Sequence, residues 1–184
     1  MKIKFSHELD SALTYARDEA MRTGSYGIRA DHLMLGILRH GDNEACRCLE
    51  SAGISTAGLK QAVDNAIFCD NSIPYNEIDR VGLTRGARSI ISASAFEALR
   101  RGQREVLCAH LLLAIVRVPG TACGEFLSAG GATYDSLSEI LRGTLPTAEE
   151  SAAALPRLED IAGALAEQIS NTLGTAGSGT PFLS

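Results

Sequence analysis

Two stretches decide the fold: IRADHLMLGILRHG at 28–41 and VLCAHLLLAIVRVPG at 106–120. Set in register at an offset of 78 residues, they pair Ile28 with Val106, His32 with His110, Leu33 with Leu111, Leu35 with Leu113, Ile37 with Ile115 and Arg39 with Arg117. The register holds outward. Upstream, ALTYARDEAMRTGSYGI (12–28) meets IISASAFEALRRGQREV (90–106), with Glu19 opposite Glu97, Ala20 opposite Ala98, Arg22 opposite Arg100 and Gly24 opposite Gly102. Phe5-Ser6 meets Leu83-Thr84. Downstream, Leu49 meets Leu127 and Gly53 meets Gly131. Agreement at one fixed spacing marks an internal duplication.

Each repeat reads as four helices. Ser6 and Thr84 are good N-caps, and the apolar pattern after each ends at a glycine, Gly24 or Gly102, suited to the position past a helix end. Leu9, Leu13, Ala16 and Ala20 form one buried stripe; Ala87, Ile91, Ser94 and Ala98 form its counterpart. Nearly all-apolar second helices follow at about 30–39 and 108–118, third helices near 43–52 and 120–129, and fourth helices after Ser55 and Thr133. The fold predicted is all-α: two tandem four-helix repeats related by a pseudo-two-fold axis, plus a short amphipathic helix at 157–172 carrying Leu158, Ile161, Leu165 and Ile169. The repeats occupy 1–69 and 83–143, joined by a linker at 70–82. A Pro-, Ala- and acid-rich connector fills 144–156, and 173–184 reads as a flexible linker.

Composition supports helices. Of 184 residues, 45% are apolar and only 5% aromatic, with no Trp, which disfavours a sandwich or barrel built on aromatic and β-branched strands. No apolar run approaches the roughly 20 residues needed to span a bilayer, and the start lacks a signal-peptide core, so a cytoplasmic protein without a membrane partner is expected. The net charge is −5, most of it in the tail, and the arginines are scattered; a nucleic-acid partner is not expected, and neither core helix reads as a basic recognition helix.

The chain offers no motif for catalysis. There is no G-x-x-x-x-G-K-[ST] phosphate loop, no G-x-S-x-G elbow and no H-E-x-x-H helix. His32 and His110 share one repeat position, which favours a packing or capping role, since a single active site needs no duplicate. His7 and His40 fall at a helix start and a helix end. Five cysteines (Cys46, Cys48, Cys69, Cys108, Cys123) form no C-x-x-C pair and read as buried free thiols. No metal ligands and no catalytic residues are assigned.

The doubled pattern of a helix ending in Gly, a short loop, then Asp31-His32-Leu33-Met34-Leu35-Gly36 and a Leu followed by Gly resembles the Clp N-terminal repeat of Clp-type AAA+ protein unfoldases, over about residues 4–143. Within that family it looks most like the ClpC and ClpA type. The closing TPFLS (180–184) is similar to the start of the segment leading into an ATPase domain. The resemblance implies a domain that receives substrate and adaptor proteins for a hexameric ATPase ring feeding a ClpP-like peptidase, with ATP and Mg confined to ATPase domains outside this chain and no cofactor within it. A stand-alone accessory protein bracing the peptidase is the alternative, and the isolated domain is expected to be a monomer.

In ClpC-type members the acid before the repeat's His helps hold phosphorylated arginine. Here that position carries Asp31 in the first repeat and Ala109 in the second, so the resemblance implies weak or absent phosphoarginine binding; for Asp31 a helix-capping role is the competing reading. Substrate or adaptor contact is assigned to Asp31, Arg29 and His32 at a helix N-terminus, and to Ile73, Tyr75 and Leu83, with Phe5, in a groove between repeats.

Overall fold

The computed structural model describes residues 3–145 and 158–174. The connector over 146–156 and the tail from 175, including TPFLS, lie outside the described residues. The first repeat holds β1 (Lys4–Phe5), α1 (His7–Arg22), β2 (Gly27–Ile28), α2 (Ala30–His40), α3 (Glu44–Ser51) and α4 (Thr56–Ile67). A short 3-10 helix, Tyr75–Arg80, lies in the linker. The second repeat holds β3 (Gly82–Leu83), α5 (Arg85–Arg100), β4 (Glu105–Val106), α6 (Cys108–Val116), α7 (Ala122–Ala129) and α8 (Tyr134–Thr144); α9 (Leu158–Leu173) follows.

The caps act as their residue types predict. Ser6 accepts from the Leu9 amide and Thr84 from the Ala87 amide, satisfying one orphan donor at the start of α1 and of α5. Gly24 and Gly102 each take φ +72°, the left-handed conformation that lets the chain turn back from α1 and α5. The α2 and α6 helices are buried along nearly their whole length and form the centre of one continuous core.

Helix α2 crosses α1 at very short range. A Cβ built on Gly36 would stand 2.1 Å from the Ala12 carbonyl oxygen and 2.8 Å from the Ala16 nitrogen. The same position in the second repeat is Ala114, so the two helix pairs are spaced differently.

The helical reading holds, with one addition that periodicity does not announce. Each repeat completes the other through two-residue parallel strands: β1 pairs with β4 and β2 with β3. At an offset of 78 these are the same pairing seen from either side of the pseudo-two-fold. The Lys4 amide donates to Arg104 O and Ser6 to Val106 O; Gly82 donates to Tyr26 O and Thr84 to Ile28 O, all at 3.0–3.1 Å. Two-residue strands carry too little alternation to be read from sequence.

Helix α9 lies across α1 and α5. Its own Ile161 and Leu165 are the side chains it buries. Thr172 donates to Asp10 Oδ1 at 2.7 Å, and Arg17 donates to the Leu173 carbonyl at 3.0 Å, a cation placed on unpaired carbonyls at a helix C-terminus.

Candidate functional site

Three of the residues singled out in the sequence, Arg29, Asp31 and His32, line one cavity of about 530 Å3 at the junction of α1, α2 and α4. Thr23, Tyr26 and Cys69 complete much of its wall. Helix α2 begins here, so its first turn defines the floor.

His32 is part of that floor rather than a titrating group. The Arg29 amide donates to its Nδ1 (3.0 Å), which leaves the proton on Nε2, and Nε2 meets the Thr23 hydroxyl at 3.0 Å. Thr23 in turn donates to the Glu19 carbonyl (2.8 Å). Burial, then the nearby Arg29 charge, pushes the His32 pKa down to about 4, so the ring is neutral at physiological pH. It ties α2 to the end of α1.

Asp31 reaches across the molecule. Its two carboxylate oxygens accept from the Ala122 amide (3.2 Å) and the Cys123 amide (2.9 Å), the first two residues of α7 in the other repeat. Thr121 accepts from the third, Gly124 (3.0 Å). The start of α7 is thus filled by a carboxylate and a hydroxyl together. The carboxylate assigned to a guanidinium is already engaged by backbone amides. At the equivalent position, Ala109 is fully buried and offers no acceptor.

The remaining sequence-assigned residues separate. Tyr75 is 77% exposed, whereas Ile73 and Leu83 are only 7% and 9% exposed and belong to the core with Phe5. Ile73 and Leu83 are therefore not presented at the surface beside Tyr75. The Ile73 amide donates to the Met21 carbonyl, and Leu83 sits in β3 beside Ile169 of α9 in a crevice of about 220 Å3.

What sequence reasoning missed is that Tyr26 and Phe68 join the assigned Tyr75 as exposed aromatic side chains. Tyr26, Phe68 and Tyr75 are the large apolar side chains standing exposed among the described residues. Tyr26 lines the cavity, Phe68 lies between the lining residues Ile67 and Cys69, and Tyr75 opens the 3-10 helix whose Glu77 and Arg80 hold Tyr26. The Tyr26 hydroxyl donates to Glu77 (2.5 Å) and the Arg80 guanidinium lies 4.6 Å above its ring. The available signal was a mismatch between repeats, since the counterpart of Tyr26 is Arg104.

Chemistry at the other reactive side chains is suppressed. Cys46, Cys48, Cys108 and Cys123 are buried, and burial raises each thiol pKa, to about 11 for Cys46 and Cys48 and about 12 for Cys123. Cys108 moves in the same direction. Cys69 departs from the buried-thiol expectation and is exposed. Among the described residues no group of three or more His, Cys, Asp or Glu is placed to hold a metal ion, and no helix is long and apolar enough to cross a membrane.

Comparison with known proteins gives a consistent answer. The family described as the Clp repeat (R) N-terminal domain matches residues 4–130. The chaperone protein ClpB of Oceanobacillus iheyensis is 25% identical over 114 residues, which is 62% of this chain and 14% of that protein. The negative regulator of genetic competence ClpC/MecB of Bacillus subtilis is 26% identical over 114 residues, again 62% and 14%. Chloroplastic ClpC3 of rice (Oryza sativa subsp. japonica) is 26% identical over 146 residues, 79% of this chain and 15% of that protein. The chain therefore spans about one-seventh of the length of these relatives. Among solved structures, the N-terminal domain of the caseinolytic protease associated chaperone ClpD from Arabidopsis thaliana superposes with TM-score 0.60 at 16% identity, covering 78% of this chain and 98% of that one. The Hsp104 N-terminal domain from Candida albicans gives TM-score 0.63 at 12% identity, covering 82% and 99%.

Proposed function

The chain belongs to the Clp repeat N-terminal domain family, and from that premise we propose that it is a recognition domain that receives substrate and adaptor proteins for a Clp-type AAA+ unfoldase feeding a ClpP-like peptidase. Its family is a non-catalytic part of such chaperones, and its own His32, His110 and buried thiols are locked in packing. ATP binding and hydrolysis belong, on this reading, to ATPase domains of a parent protein acting in the cytoplasm.

The observation that carries the proposal is the exposure of three aromatic side chains, with Tyr26 lining the cavity at α1, α2 and α4, Phe68 adjoining its lining residues in sequence, and Tyr75 on the 3-10 helix that holds Tyr26. Exposed aromatic side chains beside a concave, partly polar wall are suited to holding apolar side chains of an unfolded or adaptor segment. A single contact of this size is weak and transient, and a ring of domains would strengthen it by avidity.

The test is binding of a fluorescently labelled, reduced and carboxymethylated α-lactalbumin to the full chain, read by anisotropy. Saturable binding is expected, weakened about fivefold or more by Tyr26→Ala with Tyr75→Ala at unchanged melting temperature. Absence of binding, or equal binding by the double variant, overturns the assignment of this face.

A further inference from the structure

The two repeats differ most in charge where the first and fourth helices meet. In the first repeat Glu19, Arg22, Lys60 and Asp64 cancel one another. Arg22 bonds to Glu19 at 2.7 Å and to Asp64, and Lys60 bonds to Asp64 at 3.1 Å. At an offset of 78 the second repeat carries Glu97, Arg100, Ser138 and Arg142. The acid that faced Arg22 is replaced by a second arginine, and Thr23 by a third, Arg101.

These three arginines line a cavity of about 410 Å3 between α5 and α8, with Tyr134 and Ser138 in its wall. The acid at its base, Glu97, is spent internally. The Tyr134 hydroxyl lies 3.0 Å from both of its oxygens, Arg117 stands at 3.4 Å, and Arg100 and Arg101 stand at 3.8 Å. Asp135 also lines the cavity, and Arg142 has an exposed pairing with Glu139, of the kind that contributes little.

Arg101 in the cavity wall, and His110 outside that wall, each leave one buried N–H donor without a hydrogen-bond partner among the described residues: Arg101 Nε and His110 Nε2. The Leu107 amide donates to His110 Nδ1 (3.0 Å), so Nε2 carries the proton. In the first repeat the matching Nε2 is held by Thr23, the residue that Arg101 replaces. One substitution thus adds a guanidinium and leaves a neighbouring donor unanswered, which is unfavourable for buried polar groups in the absence of an acceptor.

We propose that this cavity is an oxyanion-binding site that takes a carboxylate or phosphate group carried on a peptide. Guanidinium forks match the paired oxygens of either group, and the Ser138 hydroxyl, which accepts from Arg101 at 2.7 Å, keeps its own proton to donate. The first repeat cannot do this, because its arginine is already neutralised by Asp64. The proposal goes beyond the recognition reading above, concerns another face, and stands whether or not Tyr26 and Tyr75 bind substrate.

The test uses the full 15N-labelled chain, titrated separately with inorganic phosphate, a Glu-rich peptide and the same peptide bearing phosphoserine. Saturable shifts at the Nε signals of Arg100 and Arg101 are expected, weakening severalfold as salt rises from about 50 to 300 mM. Either peptide shifting these signals supports the site, and the stronger of the two identifies the group it takes. R142D, which rebuilds the charge arrangement of the first repeat, should lower affinity about tenfold, the loss of one charge-assisted contact. R101T, which rebuilds the Thr23–His32 pairing at His110, should lower it as well, and serves if R142D does not fold. No saturable shift with any of the three probes, shifts spread evenly over all arginines, or undiminished binding by both variants overturns the proposal.

Discussion

Asp31, on the second helix of the first repeat, holds the Cys123 amide of the second repeat at 2.9 Å, across 92 positions of sequence. The contact has no symmetric mate, because Ala109 stands where a second acid would be and α3 relies on Asn43, which accepts from the Cys46 amide. The duplicated fold is therefore joined asymmetrically at this point.

Asp31→Ala should destabilise the protein by about 1–2 kcal/mol, the value of a helix cap with charge-assisted character. Asp31→Asn keeps an acceptor and should recover part of the loss. The melting temperatures of both variants check this, and an alanine variant that melts like the parent contradicts it. For the same reason free phosphoarginine should bind weakly or not at all, and calorimetry giving micromolar saturation at both repeats would reverse that expectation.

Gly36→Ala should cost about 1–3 kcal/mol, the range for forcing an extra carbon into a packed core. The added Cβ meets backbone atoms of Ala12 and Ala16, which cannot rotate away. Urea midpoints measure the effect; Ala114→Gly in the other repeat should stay within about 1 kcal/mol, near the helix-propensity difference alone.

Acid should unfold the protein earlier than its carboxylates alone predict. His32 and His110 are held near pKa 4 by burial, against 6.5 when unfolded. Between these values the unfolded chain binds protons that the folded chain does not, so stability falls as pH drops from about 6.5 to 4, by about 1–3 kcal/mol per histidine, and is flat above that window. Imidazole 15N shifts following both rings give the check: titration of either near pH 6 is the contrary result.

Only Cys69 of the five cysteines should react with a thiol reagent in the folded protein. It is exposed, while the other four are buried with their pKa values raised, so little thiolate forms at neutral pH. One fast thiol followed by four released on denaturation is the expected count. Rapid loss of a second thiol would show that a repeat opens readily.

Helices and their order were legible because local chemistry specifies them twice. Ser6 and Thr84 begin α1 and α5, Gly24 and Gly102 follow them, and the His32 and His110 segments register the two halves. The site was legible in part. Arg29, Asp31 and His32 share a wall because they share a helix start, but no local pattern reveals that Asp31 turns away to α7. Single apolar residues in a linker were equally mute: Ile73 is buried and Tyr75, two positions on, is exposed, a choice made by α1 and by the 3-10 turn and not by hydrophobicity. The strands escaped notice because each is two residues long and its partner lies in the other repeat.

That exchange of strands has an evolutionary consequence. In a dimer of identical subunits, every substitution appears on both sides of the axis at once, so a change that suits one half is imposed on the other. Here the halves lend each other an edge as dimer subunits would, yet a covalent link keeps them at high effective concentration and lets each drift alone. Asp31 against Ala109, Tyr26 against Arg104 and Asp64 against Arg142 record that freedom: one scaffold has kept its symmetry inside while acquiring two unlike faces.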